Sequence, residues 1–275
     1  MNRANRVRHY TQINSSQERQ FCMKYIKAAL SLAKKITPIL PISKFMASIS
    51  RRISYFAHWF QFMVEWGSDN PEYFNHHLDL NYLWRKTGNS LPMERGVHSS
   101  IALEGGDTLD LACGDGFFTN YFYALKSKRV VGVDFDPAAI KLARKNKIRE
   151  NVDFILGDIR KDIPDGPFDN VVWDAAIEHF TEVEIADLVA KIKSVLNTDG
   201  ILSGYTVTEA PGEGKHLHQH EYEFHNKEDL ARFLEPHFKN VHVYETVFPN
   251  RTNLYFYATD GRLPHERQRH LIVKR

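Results

Sequence analysis

The sequence predicts a doubly wound α/β protein, with a seven-stranded, mostly parallel sheet, a last strand running antiparallel, and a helical N-terminal extension. Three observations predict it. Short runs rich in Val, Ile, Leu and aromatic residues recur at 108–113, 129–135, 152–156, 168–173 and 201–206, with helical stretches between them. Strands this uniformly apolar belong to a parallel sheet covered on both faces. Two further runs, 241–247 and 252–259, are separated only by Phe248-Pro249-Asn250-Arg251. Four residues cannot hold a crossover helix, so the last two strands pair antiparallel.

Each helix between the strands carries its own start signal. Asp136-Pro137 reads as an N-cap followed by proline at the first helical position, Thr181 with Glu184 forms a capping box, and Asn226 opens a third helix. Upstream, Phe21, Tyr25, Ala28, Ala29, Leu32 and Ile36 recur at the helical period until Thr37-Pro38 stops them. After Pro41 the period resumes with Phe45, Ile49, Ile53, Phe56 and Phe60, beside Lys44, Arg51 and Arg52. This reads as a basic amphipathic hairpin whose apolar stripe packs as core, with an anionic membrane surface or nucleic acid as the sharper alternatives.

The 275 residues suffice for one large domain plus an extension, and 43% hydrophobic with 25% charged residues excludes collagenous and disordered classes. The longest strongly apolar stretch, residues 53–64, falls short of the roughly 20 residues a spanning helix needs. Cys22 and Cys113, 91 positions apart, form neither a disulfide framework nor a thiolate zinc motif, so a reducing, cytoplasmic setting is expected. A net charge of +2 conceals an asymmetry. Residues 1–66 hold eleven Lys and Arg against Glu18 and Glu65, leaving the remainder acidic. The expected organisation is a basic helical extension over 1–95 that includes a lid, a main domain over 96–262 and a tail over 263–275.

The most informative segment is LDLACGDGFFTNYF, residues 109–122. A buried strand enters a glycine-containing turn and then a helix, an arrangement that turns backbone N–H groups toward a ligand. Gly114 and Gly116 permit close approach, and the next strand ends at Asp134, where a carboxylate can accept bonds from both hydroxyls of a ribose. A dinucleotide fingerprint would need glycine at Thr119. Cys113 reads as a small buried residue rather than a nucleophile.

The motifs LDLACGDGFFT, VVGVDFDPAAIKLARKN, VDFILGDI, FDNVVWDAAIEHF and LNTDGILSGYT together resemble the class I S-adenosylmethionine-dependent methyltransferases of the small-molecule type, over roughly residues 95–260. The resemblance implies a Rossmann-like fold, S-adenosylmethionine as cofactor and S-adenosylhomocysteine as product. It implies that Asp110, Ala112, Gly114 and Gly116 line the methionine and ribose part of the cofactor, that Asp134 with Phe135 holds the ribose, that Asp158 and Ile159 flank the adenine, and that Asp174 lies beside it. Arg95 is a candidate partner for the methionine carboxylate.

The acceptor is less legible. Methyl transfer is an in-line displacement that depends first on positioning and then on proton removal. WDAAIEHF, residues 173–180, follows the fourth strand and places the titratable His179 at the reactive edge, without the D/N-P-P-Y/F tetrad of nucleobase amino-methylating enzymes. His179 reads as a base or as a structural residue. His220, Glu221 and Tyr222 resemble a compressed acceptor-closing segment, with Tyr205 as a further acceptor contact. His216, His218 and His220 alternate, a weak metal-ligand pattern against an expectation of no metal. Tyr73, His77 and Trp84 are candidate lid contacts. The expected reaction is O-methylation of a small polar metabolite or sugar unit, with His179 or His220 as base. The alternatives are an RNA- or membrane-docked methyltransferase and a cofactor-binding regulator without turnover.

Overall fold

The computed structural model describes residues 39–68, 76, 91–161, 163–208, 218–248 and 251–266, with isolated positions at 23, 24, 27 and 31. The chain divides into two compact units, 1–61 and 62–275.

Helix α1, Ile39–Ser68, runs 30 residues, so Pro41 lies within its first turn and starts the element rather than breaking it. The apolar stripe read as core is exposed: Phe45, Ile53, Phe56 and Phe60 each keep about three-fifths of their surface in solvent. Ile42, Met46, Met63 and Val64 are exposed as well, so periodicity was met while burial was not. No helix among the described residues is long and apolar enough to cross a membrane.

The second unit contains the sheet. Helix α2, Leu91–Ile101, leads into β1, Asp107–Leu111; then follow α3, Phe117–Tyr121; β2, Arg129–Asp134; α4, Pro137–Lys145; β3, Val152–Leu156; β4, Phe168–Asp174; α5, Glu182–Val195; β5, Leu196–Val207; α6, Lys227–Leu234; β6, Asn240–Phe248; and β7, Arg251–Thr259. The strand order is β3-β2-β1-β4-β5-β7-β6, parallel from β3 to β5, with β7 antiparallel to both neighbours. The expected helix starts are present: the Asp136 side chain accepts from Ala138 N–H, the Thr181–Glu184 box closes in both directions, and Asn226 caps α6.

Alternation along the strands explains the two apolar faces. Leu109, Leu111, Val131, Val133, Val171 and Trp173 point into one core with Ile185, Leu188 and Phe233 from α5 and α6. Val130, Val152, Phe154 and Val172 point into the other, with Phe117, Phe118 and Ile140 from α3 and α4. Both faces are covered by helices, as their continuous apolar sequence requires. Strand β5 begins at Leu196, five residues before the expected start, because Leu196 pairs with Phe168 ahead of a register shift; sheet pairing overrides the turn character of Asn197-Thr198-Asp199-Gly200.

The expected boundary near residue 95 cuts through α2, which belongs to the sheet unit. Glu94 accepts hydrogen bonds from Thr246 and Tyr255, both at 2.6 Å, and Tyr257 donates to the carbonyl of His98 at 2.6 Å. These contacts reach strands some 150 residues away, which a linear reading cannot register.

Candidate active site

The C-terminal ends of β1, β2 and β4, with the turn after β3, each deliver an acid to one cavity of about 330 Å3: Asp110, Asp134, Asp174 and Asp158. In an open parallel sheet this is the edge where ligands bind, at the point where strand order reverses between β1 and β4. The turn after β1 is shaped by backbone conformation. Ala112 and Gly114 have φ of 56° and 53°, and Ala175, after β4, has φ of 52°. All three line the cavity. A left-handed alanine costs energy and persists only where its surroundings impose it.

Asp134 accepts from Gly114 N–H at 2.8 Å through one oxygen and from Asp136 N–H at 2.9 Å through the other. It therefore clamps the turn while facing the cavity, with lone pairs to spare. Burial lifts its pKa above the ordinary value. Asp158 lies nearer solvent; the Arg160 hydrogen bond, 2.9 Å from Nε, holds its carboxyl below the usual range.

Asp110 is buried, accepts from Thr119 Oγ1 at 2.5 Å, and is pushed up to about 8, chiefly by burial, with the charges of Asp174 and Asp134 adding to it. Thus Thr119, the residue in place of a third glycine, is the partner of this acid. A carboxyl raised from 3.8 to about 8 on folding stabilises the fold fully below pH 4 and loses that contribution as pH rises toward 8. Asp110→Asn is therefore expected to exceed the parent in stability at pH 8 by on the order of 2 kcal/mol, with the two converging near pH 4. Urea midpoints at the two pH values check this; a gap independent of pH would refute it.

Arg95, from α2, reaches Asp174 with Nη2 at 2.7 Å and Nε at 3.1 Å, its guanidinium lying between the rings of Phe118 and Tyr205 at 4.7 and 4.9 Å. Burial pulls its pKa down, and the Asp174 charge and hydrogen bond more than offset this. The expectation that Arg95 pairs with a ligand carboxylate is corrected: its fork is taken by Asp174, although the residue lines the cavity. Gly116 also departs from expectation. It does not line the cavity; a Cβ there would stand 2.6 Å from the Phe154 ring, so this glycine, at φ of 72°, serves helix packing.

Phe135, Ile159 and His179 line the cavity as well. His220 lies behind His179, ring centroids 4.9 Å apart and nearly perpendicular. Its carboxylate partner is the buried Glu223, whereas Glu221, named from sequence, is exposed and contributes its backbone N–H to the Glu178 carbonyl. The turn that carries His220 reverses the expected neighbour relation. Tyr222 is also corrected: its hydroxyl is held by Asp229 and Arg232, outside the cavity lining. Tyr205 lies behind Arg95, bonded to Asn253 and Arg251, and does not line the cavity. His218 is exposed. Tyr73, His77, Trp84 and His216 lie outside the described residues.

Sequence reasoning missed His76, the neighbour of one of its own candidates. His76 is buried, donates its backbone N–H to one Asp115 carboxylate oxygen at 3.1 Å, pairs through ring Nδ1 with the other at 3.0 Å, and stacks on Phe117. The ion pair draws the Asp115 carboxyl below its usual range against the opposing effect of burial. His76 Nε2 is buried without a hydrogen-bond partner among the described residues, and His76 lines the cavity. The only sequence signal for this pair was Asp115 in the glycine turn. Gln219 and Tyr123 also line the cavity, as does Phe180, the last residue of WDAAIEHF, and none of the three was singled out from the sequence.

Comparison with known proteins bears on the family and the fold. Residues 108–200 match the family model described as a methyltransferase domain. The chain is 34% identical over 111 residues to a ribosomal protein L11 methyltransferase of Thermosipho africanus, covering 39% of this chain and 40% of that protein. It is 26% identical over 119 residues to the protein of that name from Vibrio campbellii, covering 42% and 39%. The chain thus spans about two fifths of the length of these curated relatives. Among solved structures, it resembles the N-methyltransferase NodS of Bradyrhizobium japonicum (TM-score 0.52, 16% identity, 63% of this chain and 98% of that one). It also resembles a complex of DhpI with S-adenosylhomocysteine (TM-score 0.51, 20% identity, 76% and 96%). These two likenesses show the fold.

Proposed function

We propose that this protein, whose residues 108–200 match a methyltransferase domain, is a class I S-adenosylmethionine-dependent methyltransferase that transfers a methyl group from that cofactor to an oxygen of a small polar acceptor. One observation carries the reading: four acids, the imidazole of His76 and a left-handed turn converge on one cavity at the β1/β4 reversal.

The residues present fit the cofactor. When bound, S-adenosylmethionine supplies an electrophilic methyl group on a sulfonium, and its cationic groups would face the part of the cavity lined by Asp110 and Asp134. Asp134 would accept the ribose hydroxyls with the lone pairs left after clamping Gly114, Phe135 and Ile159 would sandwich the base, and Asp158 would mark its edge. Asp110, whose pKa burial raises to about 8, would be drawn toward its charged form by a cation beside it. His179 and Gln219 line the same cavity, with His220 behind. That end would position the acceptor and manage its proton, the order of importance that an in-line displacement demands.

Incubating the purified chain with methyl-labelled cofactor, a low-mass metabolite pool and a ribosomal protein fraction tests the reading. Label is expected in the low-mass fraction at a position stable to amine-directed chemistry. Label confined to protein would replace the acceptor assignment with a protein methyltransferase, and no label in any fraction would count against turnover.

A further inference from the structure

The 3-10 turn Ile177–His179 follows β4, and the segment 218–224 crosses over it, anchored by the backbone N–H groups of Glu221 and Tyr222 on the carbonyl of Glu178. This crossing brings Glu178, His179 and His220 together: one ligand-capable atom from each lies within 4.8 Å of the others. Glu178 and His220 are each only 4% exposed, while His179 opens on the cavity.

Each of the three is aimed by a partner of its own. His179 Nδ1 donates to the Gln219 carbonyl at 3.3 Å, which fixes the tautomer and leaves Nε2 as the donor atom. His220 Nδ1 is held by the buried Glu223 carboxylate, which sets the orientation of the ring. The Glu178 Oε2 atom accepts from Thr206 Oγ1 at 2.9 Å, so Oε1 is the carboxylate oxygen available to a ligand. Imidazoles turned outward by an acceptor on Nδ1, with a carboxylate beside them held by a hydroxyl, have the outer-shell pattern of metal ligands.

We propose that Glu178, His179 and His220 hold one divalent transition-metal cation of the zinc, manganese or cobalt class, with an open position toward the acceptor end of the cavity. Two imidazoles and one carboxylate suit these ions, whereas calcium and magnesium demand sets made almost wholly of oxygen. Three protein donors leave a coordination position unfilled, the arrangement of catalytic rather than structural sites. Donors about 2.1 Å from a common ion stand at most about 4.2 Å apart, so loading draws the side chains inward by half an ångström or more.

The role of the ion rests on the methyltransferase reading; its binding does not. An acceptor hydroxyl in the open position would release its proton to water at lower pH, the oxygen would form a bond to the methyl carbon, and the carbon–sulfur bond would break to leave a neutral thioether. His179 and His220 then act as ligands, and the ion takes over the task of a free base.

The test uses the full chain, stripped with a chelator and titrated with Co2+ and Zn2+, while S-adenosylmethionine binding is measured separately without metal. One Co2+ per chain, with the visible absorption of a nitrogen- and oxygen-bound ion, is expected. His220→Ala and His179→Asn should each weaken metal binding about 100-fold or more, and Glu223→Gln about 10- to 100-fold, with cofactor affinity within about twofold of the parent. Metal-free protein that binds cofactor but takes up no stoichiometric ion would overturn the site, as would metal affinity untouched by the substitutions. Should His220→Ala fail to fold, the more accessible His179→Asn decides alone. An ion bound stoichiometrically with no methyl transfer to any acceptor would support the site and remove the methyltransferase role.

Discussion

Replacing Asp134 by Ala is expected to weaken S-adenosylmethionine binding by about 100-fold or more, with little loss of secondary structure. The carboxylate serves two purposes, clamping the turn through Gly114 N–H and Asp136 N–H and facing the cavity where a ribose diol would sit. Hydrogen bonds to a charged acceptor contribute about 1.5–3 kcal/mol each, and losing those to the ligand alone corresponds to roughly two powers of ten. Asp134→Asn keeps the shape and separates the two purposes. Its amide retains one acceptor for the turn but cannot accept on both sides, so a loss between those of parent and Ala is expected. Titration calorimetry checks both variants, and Ala with unchanged affinity would remove the ribose assignment.

Arg95→Met is expected to destabilise the sheet unit by about 3–5 kcal/mol, because it leaves the Asp174 carboxylate buried and unpaired. The two side chains are only 11% and 4% exposed, so solvent cannot replace the lost partner. For a unit of this size that corresponds to a fall in Tm of about 10 °C. The decisive comparison is the pair: Arg95→Met with Asp174→Asn together should recover much of the stability, because a neutral amide no longer requires a cation. Additive losses in the double variant would show that the guanidinium acts through its stacking on Phe118 and Tyr205 rather than through charge.

These two residues mark the difference between what was legible and what was not. Asp134 stands at a fixed place after a fixed pattern, at the end of a strand that follows a glycine turn, and the local sequence is enough to place it at the cavity. Arg95 meets Asp174 across 79 residues, and no spacing encodes that distance. The same contrast holds for the glycines: Gly114 opens on the cavity as the motif requires, while Gly116 is demanded by the Phe154 ring, which a motif does not contain. Glu221 and Glu223 differ by two positions, and only the path of the chain over Glu178 decides that the second one reaches His220.

Strand count, the antiparallel end of the sheet, the helix starts and the acids at the strand ends were determined by the sequence alone, since each depends on interactions within a few residues: alternation of apolar side chains, caps, and turns too short for a crossover. Which charges share a cavity was decided only by the tertiary structure. The raised pKa of Asp110, the capture of Arg95 by Asp174, the His76–Asp115 pair and the convergence of Glu178, His179 and His220 all arise from burial and from contacts made across the fold. Desolvation and Coulombic attraction act through space, at a few ångströms, between groups that the chain itself keeps far apart.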